Sequence, residues 1–235
     1  MKSKIAMQKR NLSRIEIGVL FLVAIMLLVG FVLFYTNREL FMRYTVEDGL
    51  VEWLTVLGLL LGSAVCIYRF VNLLKKRNWI FLTLTFLLGI LLFAVAGEEV
   101  SWGQRLFDIQ SSEFFQKNNT QSETNFHNMV VNGVKVNKII FTFGLIAALG
   151  IFLLVIPNLY RKNVKLKSWA DNWGILIPRT YQIIAFLLLF VITELLKHEK
   201  NSELLECGAA LLFFLIVRYP LNEAIFNSEK NVIKD

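Results

Sequence analysis

One stretch of this 235-residue chain concentrates the side chains able to do chemistry: residues 97–128, GEEVSWGQRLFDIQSSEFFQKNNTQSETNFHN. It opens on adjacent carboxylates, Glu98 and Glu99, and continues through Ser101, Trp102, Gln104 and Arg105 to Glu123, Asn125, His127 and Asn128. Carboxylates with an imidazole are a donor set for a divalent metal, and a metal there makes its bound water nucleophilic near neutral pH. Without metal, crowded carboxylates raise one another's pKa, and one of them becomes a general acid. The candidate catalytic groups are therefore Glu98, Glu99 and His127, and the candidate metal ligands Glu98, Glu99, Glu123, His127 and the distant Glu206. Ser101, Trp102, Gln104, Arg105, Asn125 and Asn128 are the candidate substrate contacts, with Arg105 suited to a phosphate. Glu47, Asp48 and Glu52 add acids from an earlier part of the chain.

Spacing refines this set and supplies its competitors. A helix running past Gly97 would put Glu98, Ser101 and Arg105 on one face. Thr120-Gln-Ser-Glu123 fits a capping box, which predicts a short helix bringing Glu123 and His127 together. Thr45-Val-Glu-Asp48 fits another, opening a helix on which Asp48 and Glu52 are four apart. The same boxes explain Glu123 and Asp48 without any site. Glu98 paired with Arg105, Trp53 and Trp102 as interfacial anchors, and His127 as a hydrogen-bonded structural histidine are equally plain readings. No G-x-S-x-G surrounds Ser101, so a serine nucleophile has no support.

The elements that must position these groups are apolar. The chain is 56% hydrophobic with 20 Phe, and its apolar residues come in blocks approaching the ~20 residues a bilayer-crossing helix needs. This pattern predicts an all-α, polytopic transmembrane bundle forming one domain over 1–235, with about six spans near 15–35, 50–71, 79–96, 138–156, 180–196 and 203–217. A long loop over 97–137 carries Phe107, Phe114 and Phe115 among polar residues, which suits short interfacial helices. The two cysteines, Cys66 and Cys207, fall in or beside different spans and imply no disulfide framework.

Charge orients the bundle. With both termini cytoplasmic, 17 of the 25 Lys and Arg lie inside and 13 of the 18 Asp and Glu lie outside or at the outer membrane edge, as the positive-inside rule asks. The basic excess is thus a topology signal and not a nucleic-acid footprint. The partner is the lipid bilayer of the cytoplasmic membrane. Four acidic patches then gather at one rim: Glu47/Asp48/Glu52, Glu98/Glu99, Glu123 with His127, and Glu194/Glu203/Glu206. Ionisable groups at membrane depth are costly and are paired or functional.

The strings EDGLVEWLT, GEEVSWGQRLF and NNTQSETNFHN resemble a family of bacterial polytopic (six-span) inner-membrane proteins marked by GEE-x-SWGQR. The likeness implies the architecture and singles out the acids and polar residues named above, and it brings no roles with it. A looser similarity is to alkaline-ceramidase-type membrane hydrolases, which hold zinc with three histidines. Only His127 and His198 occur here, so the likeness extends to the idea of a metal site at a membrane interface.

Three functions follow as expectations. The first is a metal-assisted hydrolase or transferase acting on a lipid or lipid-linked substrate at the outer interface. The second is a non-catalytic membrane scaffold or envelope-assembly protein whose acids are salt-bridged structure. The third is an ion-coupled transporter, against which stand acids clustered at one end and spans without a charge near the middle.

Overall fold

A computed structural model describes residues 10–126, 129–131, 134–135, 144–198 and 200–227. Among the described residues the regular structure is helical apart from one hairpin of two-residue strands, Val130–Val131 (β1) and Val134–Lys135 (β2). The first helix, α1 (Arg14–Thr36), begins at a true capping box: Ser13 Oγ accepts from the Glu16 N–H at 3.2 Å and Glu16 accepts from the Ser13 N–H at 2.7 Å. Asn37 ends it and caps α2 (Arg38–Tyr44), a helix that lies between the first two expected spans. Next come α3 (Leu50–Leu73) and α4 (Trp79–Glu99), the latter capped by Asn78. Three of these helices, α1, α3 and α4, are long and apolar enough to cross a membrane.

The polar loop carries two short helices, α5 (Gln104–Phe107) and α6 (Glu113–Asn118). An apolar helical run follows, built of α7 (Leu145–Gly150), a π-helical turn (Ile151–Val155) and α8 (Ile156–Lys162). Pro157 explains the wide turn, because it has no N–H to donate and its ring crowds the carbonyl one turn back. The basic connection after it holds α9 (Val164–Asn172), and the chain then closes with α10 (Thr180–Glu194) and α11 (Asn201–Arg218).

The core is organised around α11, which packs on α1, α3 and α10. Leu204, Leu212, Leu215, Ile216 and Val217 of α11 are completely enclosed. Small residues allow the approach: a Cβ on Gly58 of α3 would lie 3.0 Å from the Ala210 carbonyl carbon and 3.1 Å from the Leu211 nitrogen, both backbone atoms. Across the next seam Ser63 Oγ donates to the Gly89 carbonyl at 2.8 Å, tying α3 to α4. Cys66 and Cys207 are free thiols buried in this core.

The helices alternate in direction, so their ends collect at two poles. At one pole Arg10 pairs with Glu223, Tyr181 Oη donates to Glu16 at 2.6 Å, and Asn78 Nδ2 donates to the Asn172 carbonyl at 2.9 Å. There the buried Arg69 donates to the Val217 carbonyl and, at 3.0 Å, to the Arg218 carbonyl, satisfying the open end of α11. At the other pole Lys200 pairs with Glu47 at 3.6 Å, and the Phe41 and His198 rings meet edge to face at 5.6 Å between centroids. The first pole is basic and the second acidic.

Two expected helix starts take another form. Thr45 closes α2 as its C-cap and does not open α3: its hydroxyl donates to the Phe41 carbonyl at 3.0 Å, and α3 begins after Gly49, without a side-chain cap. Asp48, in the left-handed region at φ 59°, donates its N–H to the Glu52 carboxylate at 2.7 Å, so Glu52 and not Asp48 supplies the carboxylate that reaches back. Over 120–126 there is no helix, and Ser122 sits at φ 58°. Its N–H donates to the Asn119 carbonyl at 3.1 Å, and the Glu123 carboxylate accepts from Ser101 and Asn125 instead of capping a helix.

Candidate functional site

The acidic pole divides into two parts of different character, and the division begins where α4 stops. Three consecutive residues, Ser101 (φ 47°), Trp102 (φ 55°) and Gly103 (φ 76°), adopt left-handed backbone. Two of them carry a Cβ and cost about 1 kcal/mol each, so surrounding contacts must hold the turn in place. The expected continuation of α4 past Gly97 thus ends at Glu99, and Glu98, Ser101 and the Arg105 backbone do not share a helix face. The turn folds the Trp102 indole back over Gly97, where a Cβ would stand 2.8 Å from the ring. There Trp102 Nε1 donates to Glu98 at 2.8 Å, so the tryptophan acts as a clamp on a candidate acid.

The first part is a hydrogen-bonded polar cap. Ser101, fully enclosed at 0% exposure, donates to the Glu123 carboxylate. Asn125 Nδ2 donates to both, reaching Ser101 Oγ at 2.8 Å and Glu123 Oε2 at 3.0 Å. Asn119 Nδ2 donates to the Asn125 carbonyl and side-chain oxygen at 2.9 Å each, while Asn119 Oδ1 accepts from the Gln121 and Glu123 N–H groups at 2.8 and 3.3 Å. Alongside, Gln104 bridges two strands of loop: its Oε1 accepts from the Thr124 N–H and its Nε2 donates to Ser111 Oγ, both at 2.7 Å. Glu98 joins by accepting the Phe126 N–H at 2.6 Å, and Glu47 by accepting from Gln121 Nε2 at 2.8 Å. Buried polar groups are tolerated when every one has a partner, and this cap meets that demand.

The second part lies on the helix ends. Glu99, from α4, is half-buried and within electrostatic reach of Glu52 on α3 and Glu203 on α11. Glu206, one turn further along α11, faces Glu99, Glu203, Glu52 and the Lys200 ammonium. Glu52 is buried and takes the Asp48 N–H; Glu203 pairs with Lys200 at 3.4 Å. Among the described residues no hydrogen-bond donor is aimed at Glu99 or Glu206. Glu98 and Glu99, neighbours in sequence, therefore belong to different parts, because side chains one residue apart on a helix point about 100° apart.

The sequence-derived candidates sort accordingly. Ser101, Gln104, Glu123 and Asn125 meet in the cap, with Trp102 and Glu98 at its edge. Glu52, Glu99 and Glu206 meet on the helix ends, while Asp48 and Glu47 are exposed at their rim. His127, Asn128 and the side chain of Arg105 lie outside the described residues. Among the described residues no three His, Cys, Asp or Glu side chains are disposed to hold a metal ion. Of the four expected ligands among the described residues, Glu98 and Glu123 accept from donors in the cap, and Glu99 and Glu206 lie on the helix ends. Glu194, expected with the acidic patches, is exposed at the end of α10.

No family model, curated protein or solved structure matches the chain. The arrangement of side chains is therefore what carries a functional reading.

Sequence reasoning passed over Asn119, Ser111, Thr124, Gln121 and Lys200. The first four are neutral polar residues in a polar loop, with no spacing to distinguish them. Lys200 carried one signal, its place in the short turn that leads into an acid-bearing helix.

Proposed function

We propose that this chain is a multi-pass protein of the cytoplasmic membrane that works on a lipid or lipid-linked substrate at the outer interface, as a hydrolase or transferase. Six crossings are α1, α3, α4, the run from α7 to α8, α10 and α11. Both termini are cytoplasmic, which puts the basic pole inside and the acidic pole outside. The bacterial six-span family with the GEE-x-SWGQR string offers the same architecture.

The observation that carries the reading is the meeting of Glu99 and Glu206 on separate helices, part-accessible and with no donor aimed at either among the described residues. Carboxylates gathered this way need a proton or a cation between them. A proton held there can be passed to a leaving group, the work of a general acid, with the partner carboxylate as base. A divalent cation would instead polarise a phosphoryl or acyl oxygen, with Glu99 and Glu206 as its carboxylate ligands and His127 as the expected imidazole. Glu52 and Glu203 set the local charge, and Lys200 offers an ammonium at the rim.

The experiment pairs metal analysis with headgroup release from radiolabelled phospholipid in proteoliposomes, for wild type, E99Q and E206Q. Release that both substitutions abolish supports the enzyme. Stoichiometric divalent metal lost in both supports its metal-assisted form. Wild-type protein with neither release nor metal turns the reading down.

A second reading, a non-catalytic scaffold, is favoured by the saturated cap, whose buried Ser101 and Asn125 and half-buried Glu123 satisfy one another. Under it, E99Q and E206Q alter no turnover, and cap substitutions lower stability alone. The transport reading, third, calls for a cation-dependent flux in the same vesicles.

A further inference from the structure

At the opposite pole, we propose that the exposed face of α9, with the end of α8 that leads into it, is a docking surface for an anionic phospholipid leaflet, gripped by Lys162 of α8 and by Lys165 and the paired indoles of Trp169 and Trp173. The inference rests on the chain being embedded in a bilayer, and not on any chemistry at the acidic pole.

The helix has a buried side and an open side. Ala170 is enclosed against Tyr160 and Ile177, with Leu166, Ile175 and Leu221 packed around them. On the open side, Lys165, Trp169 and Trp173 recur every four residues and form a single stripe. The two indoles pack on each other with ring centroids 4.7 Å apart, yet Trp169 remains 46% exposed. Val164, at the start of the helix, is 82% exposed. Two large aromatic rings and a valine left in water have an apolar phase as their natural complement.

Charge identifies which phase. The acid of this helix is already taken: Asp171 accepts from Lys167 Nζ at 2.7 Å and from Tyr160 Oη at 2.8 Å. Arg179 is committed to Glu223 at 3.1 Å, and Arg161 donates to Thr180 Oγ1 at 3.0 Å. Lys165 remains as an exposed ammonium on the indole stripe, and Lys162, the last residue of α8, is exposed just before α9 begins. A leaflet bearing anionic headgroups supplies both complements at one depth, phosphate for the ammoniums and the headgroup–acyl boundary for the indoles.

Position agrees with this. The Asn172 carbonyl is tied to Asn78, the cap of α4, and Gly174, at φ 70°, brings the backbone against the Phe81 ring. The end of α9 is thereby fastened where the membrane-length helix α4 begins, which is the level of a headgroup layer.

The test uses the full chain in vesicles of phosphatidylcholine with phosphatidylglycerol, one or the other carrying bromine on the acyl chains near the headgroup. Bromine quenches tryptophan on contact, and the signal of Trp169 and Trp173 is isolated as the difference between wild type and W169F/W173F. Brominated phosphatidylglycerol is expected to quench this pair more strongly than brominated phosphatidylcholine at equal content. The preference should fall about fivefold for each lysine removed in K162Q and K165Q and should shrink with added salt. Equal quenching by the two lipids, no quenching of this pair, or a preference unchanged in K162Q/K165Q each overturns the proposal. Quenching of the remaining tryptophans, Trp53 and Trp79 among them, reports separately whether the chain is embedded at all. A variant that misfolds is recognised by loss of that second signal, and single K165Q, on an exposed side chain, then carries the test.

Discussion

The two halves of the acidic pole use the same residue types to opposite ends. In the cap, Glu123 is surrounded by donors from Ser101 and Asn125, and Asn125 is itself held by Asn119. On the helix ends, Glu99 and Glu206 face other carboxylates, with Lys200 as the cation that reaches Glu206. A carboxylate given donors is a structural tie. One surrounded by its own kind raises the energy of the folded state and persists when the site has a use for it. The difference teaches that an acid in a membrane protein is read by what is aimed at it, and its proximity to other conspicuous residues decides little.

The largest effect that can break this comparison is expected from N125A. It strips Ser101, Glu123 and Asn119 of a shared partner in a buried setting, at a cost of about 3 kcal/mol. Thermal unfolding in detergent should show a drop of several degrees. A double cycle with S101A should be strongly non-additive, since both changes open the same network. A melting point unchanged in N125A would mean the cap is not a stability element.

E99Q and E206Q should move the other way. Each removes one like charge and leaves shape intact, so the melting point should hold or rise, by up to about 1 kcal/mol of stability. Loss of stability comparable to N125A would place these glutamates with the cap. W102F is expected to be milder than N125A, about 1 kcal/mol, because the indole donates once and to the edge of the network. Its informative readout is proteolysis of the 104–126 loop, which should quicken as Glu98 is released.

The smallest effect is a control at the basic pole. Burial draws the Lys167 ammonium down, but hydrogen bonds to Asp171 and Tyr160 outweigh it and leave its pKa raised. A group raised on folding stabilises below its unfolded pKa, about 10 for a lysine, and that contribution is lost as pH climbs through the folded value. Stability should therefore be flat across neutral pH in this region and fall above about pH 10. K167M should remove the Lys167 share of that alkaline fall, measured by melting across pH. A fall beginning near neutrality would point to groups other than this trio.

Much of the architecture was legible from residue type alone. Length and hydropathy located α1, α3 and α4, since a run of some 20 apolar residues has one stable form in lipid. The opposed charges of the two poles followed from the alternation of basic and acidic connections. Local rules failed where the chain leaves regular structure. Thr45 and Thr120 each opened a plausible capping box, yet Asp48 and Ser122 turn left-handed, their N–H groups donating to Glu52 and to the Asn119 carbonyl.

The site divides along the same line. That acids would crowd one rim is a consequence of how many times the chain reverses direction, and the sequence determined it. Which acids would meet was decided by tertiary structure alone. Glu98 and Glu99 are one residue apart and part company because a helix rotates by about 100° per residue. Glu99 and Glu206 are far apart in the chain and converge because α11 packs at the centre, close enough to α3 for backbone to meet backbone at Gly58. Spacing along a chain fixes angles within one helix, while the distance between helices depends on packing that no local pattern encodes.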